Sequence, residues 1–586
     1  MPLIRLLLVS SVLMGVYAGA LTAANVEYGW VVPAVLLALV LARRTKHYVL
    51  SSHGTARWAE PSDLMGMLDK GTGLILGLME NRIGRLDGLK ALFNRKLSSG
   101  MAVTLFLKSM QRKQKPSLVR LNNVVHTSVF APTGAGKGVS HIVPFLLTNP
   151  DSMVVLDYKG ENFKLTAEVR RKMGHRVVCL DPFGMVGGKD TLNPLDTIGG
   201  ADDPNALDDI ASMSKALVLR TGEEKEPHWN DLAETFIRAI TGFIAAEADP
   251  DERNLQTLRP LLCNKEKLEA ASKLIQASVA WGGGLSLLGH QLTHAGEREA
   301  GSILTTVNRH TSWMDSPQVV NNLKTSSFNP RDLCRGKMTI YLVLHPKYQT
   351  SHAALLRLWI DTLMRVVISQ GLSSRKVHVV LDEAASLGRM ESIESALDKY
   401  RGYGIRLLFF YQSIGQLKKN WPEGQETTLL SNTTQCFYGV ADQQTAEFVS
   451  NSLGSYTQIV TSGGSSRGGS TSRSTNENGT SSSSYSSSWN GSDNWSQSGR
   501  RLLTPDEVRN LDPRQCITFT PGCRPILTWL IRYYEGIPRT KLGVFKVVAD
   551  TIALFLLAVF IAAVASAKLN PDLLRRFDVE AFRIAQ

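Results

Sequence analysis

Residues 131–140, APTGAGKGVS, carry glycines and a lysine at the spacing of a phosphate-binding loop. The run 124–130 before them reads as a short strand, and the apolar run 141–147 after them reads as the start of a helix. Strand, glycine-rich turn and helix are the context such a loop needs. Gly134 and Gly136 allow backbone N–H groups of Thr133, Ala135, Gly138 and Val139 to curl around a phosphate, and Lys137 reaches its outer oxygens. Two positions depart from the usual GxxxxGK[ST] pattern: Ala131 replaces the first glycine, and Gly138 replaces the hydroxyl residue that holds Mg²⁺. The metal must then rely on a carboxylate, on water, or on a nearby hydroxyl such as Ser140. A second motif supplies the carboxylates. Residues 377–383, VHVVLDE, form an apolar β-rich run ending in Asp382 and Glu383. Asp382 is placed to hold Mg²⁺ through water, and Glu383 to orient and deprotonate an attacking water. Gln412 follows the next apolar run, 405–411, with an amide able to sense the γ-phosphate. Together the motifs predict ATP and Mg²⁺ as ligands and hydrolysis as the reaction.

Two apolar runs this rich in β-formers suit central strands of a parallel sheet, whose C-terminal ends bind ligands. The expected fold class is therefore α/β. At 586 residues the chain is too long for one core. Residues 51–204 and 313–545 are expected to form two parts of a nucleotide-binding domain, and 205–312, with helical spacing throughout, an all-α insertion. Residues 461–499 are dominated by Ser, Gly, Asn and Thr and read as a flexible loop. Tyr485, Trp489 and Trp495 with Arg467, Arg473, Arg500 and Arg501 offer stacking and charge for single-stranded bases; a plain polar insertion is the simpler reading.

Net charge is +13, which favours nucleic acid or anionic lipid, although basic residues flanking membrane segments account for part of it. The runs 3–21 and 30–42 are long or nearly long enough to span a bilayer, and Arg43, Arg44 and Lys46 place the following chain in the cytoplasm. A cleaved signal peptide is the alternative for the first run. A third run, 547–567, is expected as a membrane helix within a tail of 546–586. The six cysteines show no CxxC pair and read as reduced, mostly buried thiols. His290 and His294 have helical metal-site spacing but lack a metalloprotease glutamate, so they read as ordinary histidines.

These motifs, in this order, resemble the type IV secretion coupling proteins, the TraG-type ATPases of conjugation. The likeness runs from His53 to about Tyr534 and includes HGTARWA at 53–59, DYKGE at 157–161, NPLD at 193–196, His228-Trp229, Tyr411-Gln412-Ser413, and Asp442 with Thr445-Ala446. The glycine after Lys137 matches a variant of the TraG branch. The resemblance implies a RecA-like ATPase domain with an inserted helical domain, assembled as a homo-hexamer at the bacterial inner membrane with 1–50 as a transmembrane hairpin. It further implies type IV secretion channel components as partners, and single-stranded DNA with a bound relaxase, or protein effectors, as cargo. Arg401 stands where the family has a candidate arginine finger for a neighbouring subunit; Arg406 is the competitor. A docking receptor with little hydrolysis is the alternative function.

Overall fold

The computed structural model describes residues 51–535 apart from 62, 65, 69–70, 80–105, 108–115, 123–124, 221–223, 225, 294–296, 374, 423 and 476–480. The strands among these residues are β1 (Leu74–Met79), β2 (Ser117–Leu121), β3 (His126–Phe130), β4 (Ser152–Asp157), β5 (Arg176–Leu180), β6 (Met338–Val343), β7 (Val377–Leu381), β8 (Ile405–Tyr411), β9 (Thr433–Phe437), β10 (Ser455–Thr475), β11 (Ser481–Arg501), β12 (Gln515–Phe519) and β13 (Ile526–Trp529). All but β10 and β11 join one sheet in the order β2-β1-β13-β12-β9-β3-β8-β7-β4-β6-β5. From β9 to β5 the strands run parallel. β12, β13, β1 and β2 extend the sheet in antiparallel fashion.

A sheet covered on both faces needs apolar residues at every strand position, and β7 and β8 supply them. Val379, Leu381, Leu407 and Phe409 enter the core on one face, while Val380, Leu408 and Phe410 enter the core on the other. The first face is covered by the helix Ala353–Ser369, with Trp359 fully buried, and by the helices between β5 and β6. The second is covered by the helical segment that follows the phosphate loop, including Ile142, Phe145 and Leu146, and by Ala167 of the helix Glu161–Lys172. Truncating one of these aromatics, such as Phe410, to alanine should cost about 3–5 kcal/mol.

β3 has a less obvious composition: His126, Thr127 and Ser128 are all buried. Two of the polar groups find partners within the sheet, while His126 Nε2 has none among the described residues. His126 Nδ1 accepts from the Leu407 N–H at 3.1 Å, and Ser128 Oγ lies 2.8 Å from Thr433 Oγ1. Between β5 and β6 the described residues form helices and no strand, among them Ala206–Leu217, His228–Glu247, Leu255–Cys263, Lys265–Ala277, Gly284–Thr293 and Glu297–Thr311. Their buried Ile237, Ile240, Leu258, Ile275 and Ile303 continue the core of the first sheet face.

The Ser/Gly-rich segment differs from the loop expected of it. β10 and β11 pair antiparallel along their whole length, from Ser455 opposite Arg501 to Thr475 opposite Ser481. Serine and threonine tolerate extended backbone, no proline interrupts the pairing, and the sequence between the strands contains Asn478-Gly479, a hairpin signal. Of its basic residues, Arg500 is bound to Glu507 at 2.8 Å and Arg501 to Ser450 at 3.1 Å. Tyr485 is 77% exposed.

Cys179, Cys436 and Cys516 are buried, but Cys263 is exposed and Cys334 and Cys523 are intermediate, so burial extends to only half of the cysteines. No helix among the described residues is long and apolar enough to cross a membrane. The apolar runs 3–21, 30–42 and 547–567 lie outside the described residues.

Candidate active site

The C-terminal ends of β3, β8, β7 and β4 form one edge of the parallel sheet, and the predicted loop and carboxylates gather there. Phe130 ends β3 opposite Tyr411 of β8 and Phe437 of β9, and the glycine-rich loop leaves from Ala131. Gly134 and Gly136 have φ of 83° and 95°, in the left-handed region that favours glycine. A Cβ on Gly134 or Gly138 would meet nothing within 4 Å, so the space over the loop is open. Thr133 and Gly134 are exposed; Ala135, Gly136, Lys137, Gly138 and Val139 are half-buried. Lys137 Nζ donates to the Ala131 carbonyl at 2.7 Å and so closes the loop on itself. The chain then enters a helical turn of π type, Gly138–Ile142, continued by the α-helix Val143–Thr148. Ser140 is buried in that turn, its N–H on the Gly136 carbonyl at 2.9 Å.

β7 pairs with β4 on one side and β8 on the other, and the chain turns sharply at its end. Glu383 has φ 66° and ψ 50°, one of two non-glycine residues with positive φ among the described residues. A glutamate in this conformation is disfavoured by about 1–2 kcal/mol. Its carboxylate is held by Gln412, whose Nε2 donates to Glu383 Oε1 at 2.8 Å. Ser386 Oγ donates to the Glu383 carbonyl at 2.7 Å, and Tyr158 from the end of β4 meets the same Ser386 hydroxyl. Gln412 is itself fixed: its backbone N–H donates to Gln416 Oε1 at 2.7 Å. The helix Ile414–Asn420 is anchored because the Ile414 N–H donates to Thr445 Oγ1 at 3.0 Å. Asp442 in turn caps the helix Gln443–Leu453 by accepting from the Thr445 N–H at 2.8 Å.

The electrostatics of this edge pull in opposite directions. Burial pushes Asp382 up to about 6; the Lys137 ammonium opposes this, and the carboxylates of Asp157 and Glu383 add to it. Burial likewise pushes Asp157 up to about 6, against the backbone N–H groups of Phe163, Lys159 and Gly160. Burial lowers the Lys137 ammonium below its ordinary value, while Glu383 and Asp382 act to raise it. Crowded carboxylates that resist ionisation suit a divalent cation, and a glycine loop with a buried lysine suits phosphate oxygens. The donor set therefore fits a magnesium nucleotide, with Lys137 and the loop N–H groups at the anionic end and Asp382 on the metal side.

Asp157, Tyr158 and Lys159 belong to this edge, yet the sequence offered only a motif without a role. The available signal was their place at the end of an apolar strand, followed by Gly160 at φ 66°. Arg401 lies elsewhere. It is exposed in the turn Tyr400–Tyr403, which precedes β8, so it sits at the opposite edge of the sheet from its own phosphate loop. Arg406 is half-buried and donates to the carbonyls of Arg401 and Ile405 at 3.0 and 2.8 Å. His290 is exposed, and His294 lies outside the described residues.

The parallel sheet with this loop and these carboxylates defines an α/β ATPase fold of the RecA-like class. Solved structures agree on the fold. The bacterial conjugative coupling protein TrwBdeltaN70 in complex with sulphate has a TM-score of 0.52 at 17% identity, covering 69% of this chain and 85% of that one. The plasmid coupling protein TrwB in complex with a non-hydrolysable GTP analogue has a TM-score of 0.51 at 16% identity, covering 69% and 85%. Residues 99–554 match the family described as type IV secretory system conjugative DNA transfer, and the chain belongs to that family. Among relatives, protein VirD4 of Rhizobium radiobacter is 26% identical over 514 residues, covering 85% of this chain and 65% of that protein. The type IV secretion system-coupling protein VirD4 of Bartonella quintana is 28% identical over 351 residues, covering 58% and 55%. The conjugal transfer protein TraG of Escherichia coli is 26% identical over 437 residues, covering 70% and 66%. The chain thus spans between about half and two thirds of these relatives' lengths.

Proposed function

We propose that this chain is a membrane-anchored coupling ATPase that recruits single-stranded DNA with its bound relaxase, or protein effectors, to a type IV secretion channel and drives their transfer by ATP hydrolysis. The observation that carries the hydrolytic part is the Glu383–Gln412 contact at 2.8 Å beside Asp382 and the loop of Lys137. Lys137 and the N–H groups of Thr133 to Val139 grip the phosphates. Asp382 would hold Mg²⁺, with Ser140 as the nearby hydroxyl after Gly138; the ion, when bound, would neutralise phosphate charge. Glu383 takes the proton of the attacking water, and Gln412 keeps its carboxylate aimed while remaining able to report the γ-phosphate. Family membership supports the cargo class and the secretion partners, and the net charge of +13 supports contact with DNA backbone. The runs 3–21, 30–42 and 547–567 support anchoring, with the ATPase edge in the cytoplasm. The segment between β5 and β6 is the inserted helical domain, and a homo-hexameric ring is the working assembly.

The test is ATP turnover by the full chain in detergent, with and without unrelated single-stranded oligonucleotides across a salt series. Turnover that rises with DNA, and DNA affinity that falls steeply with salt regardless of sequence, are expected. Gly138, with no hydroxyl beside Lys137, favours a second reading, a nucleotide-binding docking receptor. Tight nucleotide binding without turnover would establish that reading and reject the motor.

A further inference from the structure

We infer that His141, Cys436 and Cys516 form a zinc site directly behind the phosphate loop. A ring nitrogen of His141 and the two Sγ atoms all lie within 4.8 Å of one another, and all three residues are 0% exposed. Tetrahedral zinc, with sulfur at about 2.3 Å and nitrogen at about 2.0 Å, needs ligand separations of roughly 3.5–4 Å. Small rotamer adjustments therefore close the site.

The groups present are poorly satisfied without an ion. His141 Nε2 is buried with no hydrogen-bond partner among the described residues, which costs on the order of 1–3 kcal/mol. Its Nδ1 lies 3.4 Å from the Tyr438 hydroxyl, and the Tyr438 ring stacks on the imidazole at 5.3 Å, so the ring is held in place. Around the sulfurs the contacts are weak: Thr518 Oγ1 is 3.6 Å from Cys436 Sγ and 3.7 Å from Cys516 Sγ, Cys516 Sγ is 3.9 Å from the Ile517 carbonyl, and the Cys436 thiol interacts with Cys516 and His141. The Thr518 hydroxyl, near both sulfurs, offers an oxygen as fourth ligand.

Strand register explains how residues so distant in sequence meet. Cys436 on β9 stands opposite Thr518 of β12 and beside Val129 of β3. Cys516 precedes Thr518 by two residues, so both sulfurs face the same side of the sheet, where His141 packs one helical turn beyond Lys137. Charge selects the ion. Binding releases two thiol protons to solvent, and two thiolates with a divalent cation leave a neutral cluster in a fully buried place. A monovalent soft cation would leave an uncompensated negative charge. Two thiolates and an imidazole with no carboxylate favour zinc over magnesium or calcium. The ion would tie the start of the phosphate-loop helix to β9 and β12.

The experiment uses the full chain purified in detergent without metal-affinity columns, with its thiols kept reduced. It is dialysed against Zn²⁺ alone, desalted and analysed for metal; a parallel sample receives Co²⁺ alone. The expected result is about one zinc per chain, together with a thiolate-to-cobalt charge-transfer band and the visible bands of tetrahedral cobalt. Cys516→Ser and His141→Gln should each weaken binding at least about tenfold. The cobalt spectrum of the unaltered chain carries the test if a variant fails to fold. Retention of less than about a tenth of an equivalent of zinc, with no cobalt–thiolate band, overturns the proposal. So does equal cobalt binding by the unaltered chain and Cys516→Ser.

Discussion

Gln412 donates its side-chain N–H to Glu383 at 2.8 Å, joining the C-terminal ends of neighbouring strands β8 and β7. In the proposed mechanism this contact couples the water-activating carboxylate to the amide that senses the γ-phosphate. Glu383→Gln should leave ATP affinity within about threefold while reducing turnover at least about a hundredfold, because it removes the base and not the phosphate grip. Lys137→Ala should instead weaken nucleotide binding. Gln412→Ala should fall between them, slowing turnover about tenfold or more at little cost in affinity. Isothermal titration beside steady-state hydrolysis separates the three. Wild-type turnover by Glu383→Gln would remove the proposed mechanism.

Gly160 offers a test of how β4 delivers Asp157 to the site. Its φ is 66°, and a Cβ there would lie 2.3 Å from Val186 Cγ1. Gly160→Ala should therefore destabilise the chain by about 2–4 kcal/mol, combining left-handed strain with a clash. The Phe163 N–H that donates to Asp157 Oδ2 at 2.9 Å follows this turn, so nucleotide affinity should drop too. A urea midpoint equal to wild type would show that Val186 gives way freely.

Buried histidines make stability depend on pH. Burial lowers His310 to about 4, and the nearby guanidinium groups of Arg309, Arg220 and Arg357 act the same way. Its ordinary value is near 6.5, so between about 4 and 6.5 the unfolded chain holds a proton that the folded chain does not. Stability from this residue is thus complete above 6.5 and is lost as pH falls toward 4. Asp382 and Asp157, both raised to about 6, act oppositely between about 4 and 6, so the total slope mixes both signs. A paired measurement isolates the histidine. The stability of the native chain relative to His310→Gln should fall by about 2 kcal/mol from pH 7 to pH 5. A difference independent of pH would mean that His310 is not held neutral.

The parts of this site that were legible in the sequence are those encoded locally. A strand, a glycine turn and a helix start lie within about twenty residues, and β7 announces its carboxylates with an apolar run directly before them. What the sequence hid depends on pairing across the sheet. Tyr158 reaches Ser386 only because β4 and β7 are neighbours, and the left-handed Glu383 follows from a turn that its own residue type disfavours. β3 hid a polar half, since His126 and Ser128 find partners on β8 and β9. The hairpin of β10 and β11 is hidden by its polarity, because backbone pairing requires no apolar face. His141, Cys436 and Cys516 follow no sequence spacing; the β9–β12 register brings the two sulfurs together, and the helical turn after the phosphate loop brings the histidine to them.

Arg401 is the candidate that the fold separates most clearly from its own active site. It is exposed before β8, whereas the phosphate loop leaves β3 beside the far end of that strand. Seven residues of strand at about 3.3 Å each put roughly 20 Å between the two edges, so Arg401 cannot reach its own γ-phosphate. Its side chain makes no hydrogen bond or ion pair among the described residues, while the Arg406 guanidinium is already committed to the carbonyls of Arg401 and Ile405. A cation opposite the γ-phosphate stabilises the charge that develops in transfer, and in trans such an arginine contributes about a thousandfold or more. Arg401→Ala chains and Lys137→Ala chains should therefore each lack turnover alone. Mixed in one ring, some interfaces pair an intact loop with an intact arginine, and part of the activity should return. Two differently tagged variants, captured in tandem, establish that the rings are mixed. A parallel mixture of wild type with Lys137→Ala shows how many inactive subunits a ring tolerates. If that control retains activity while the double-variant rings show no recovery, Arg401 does not serve a neighbouring site.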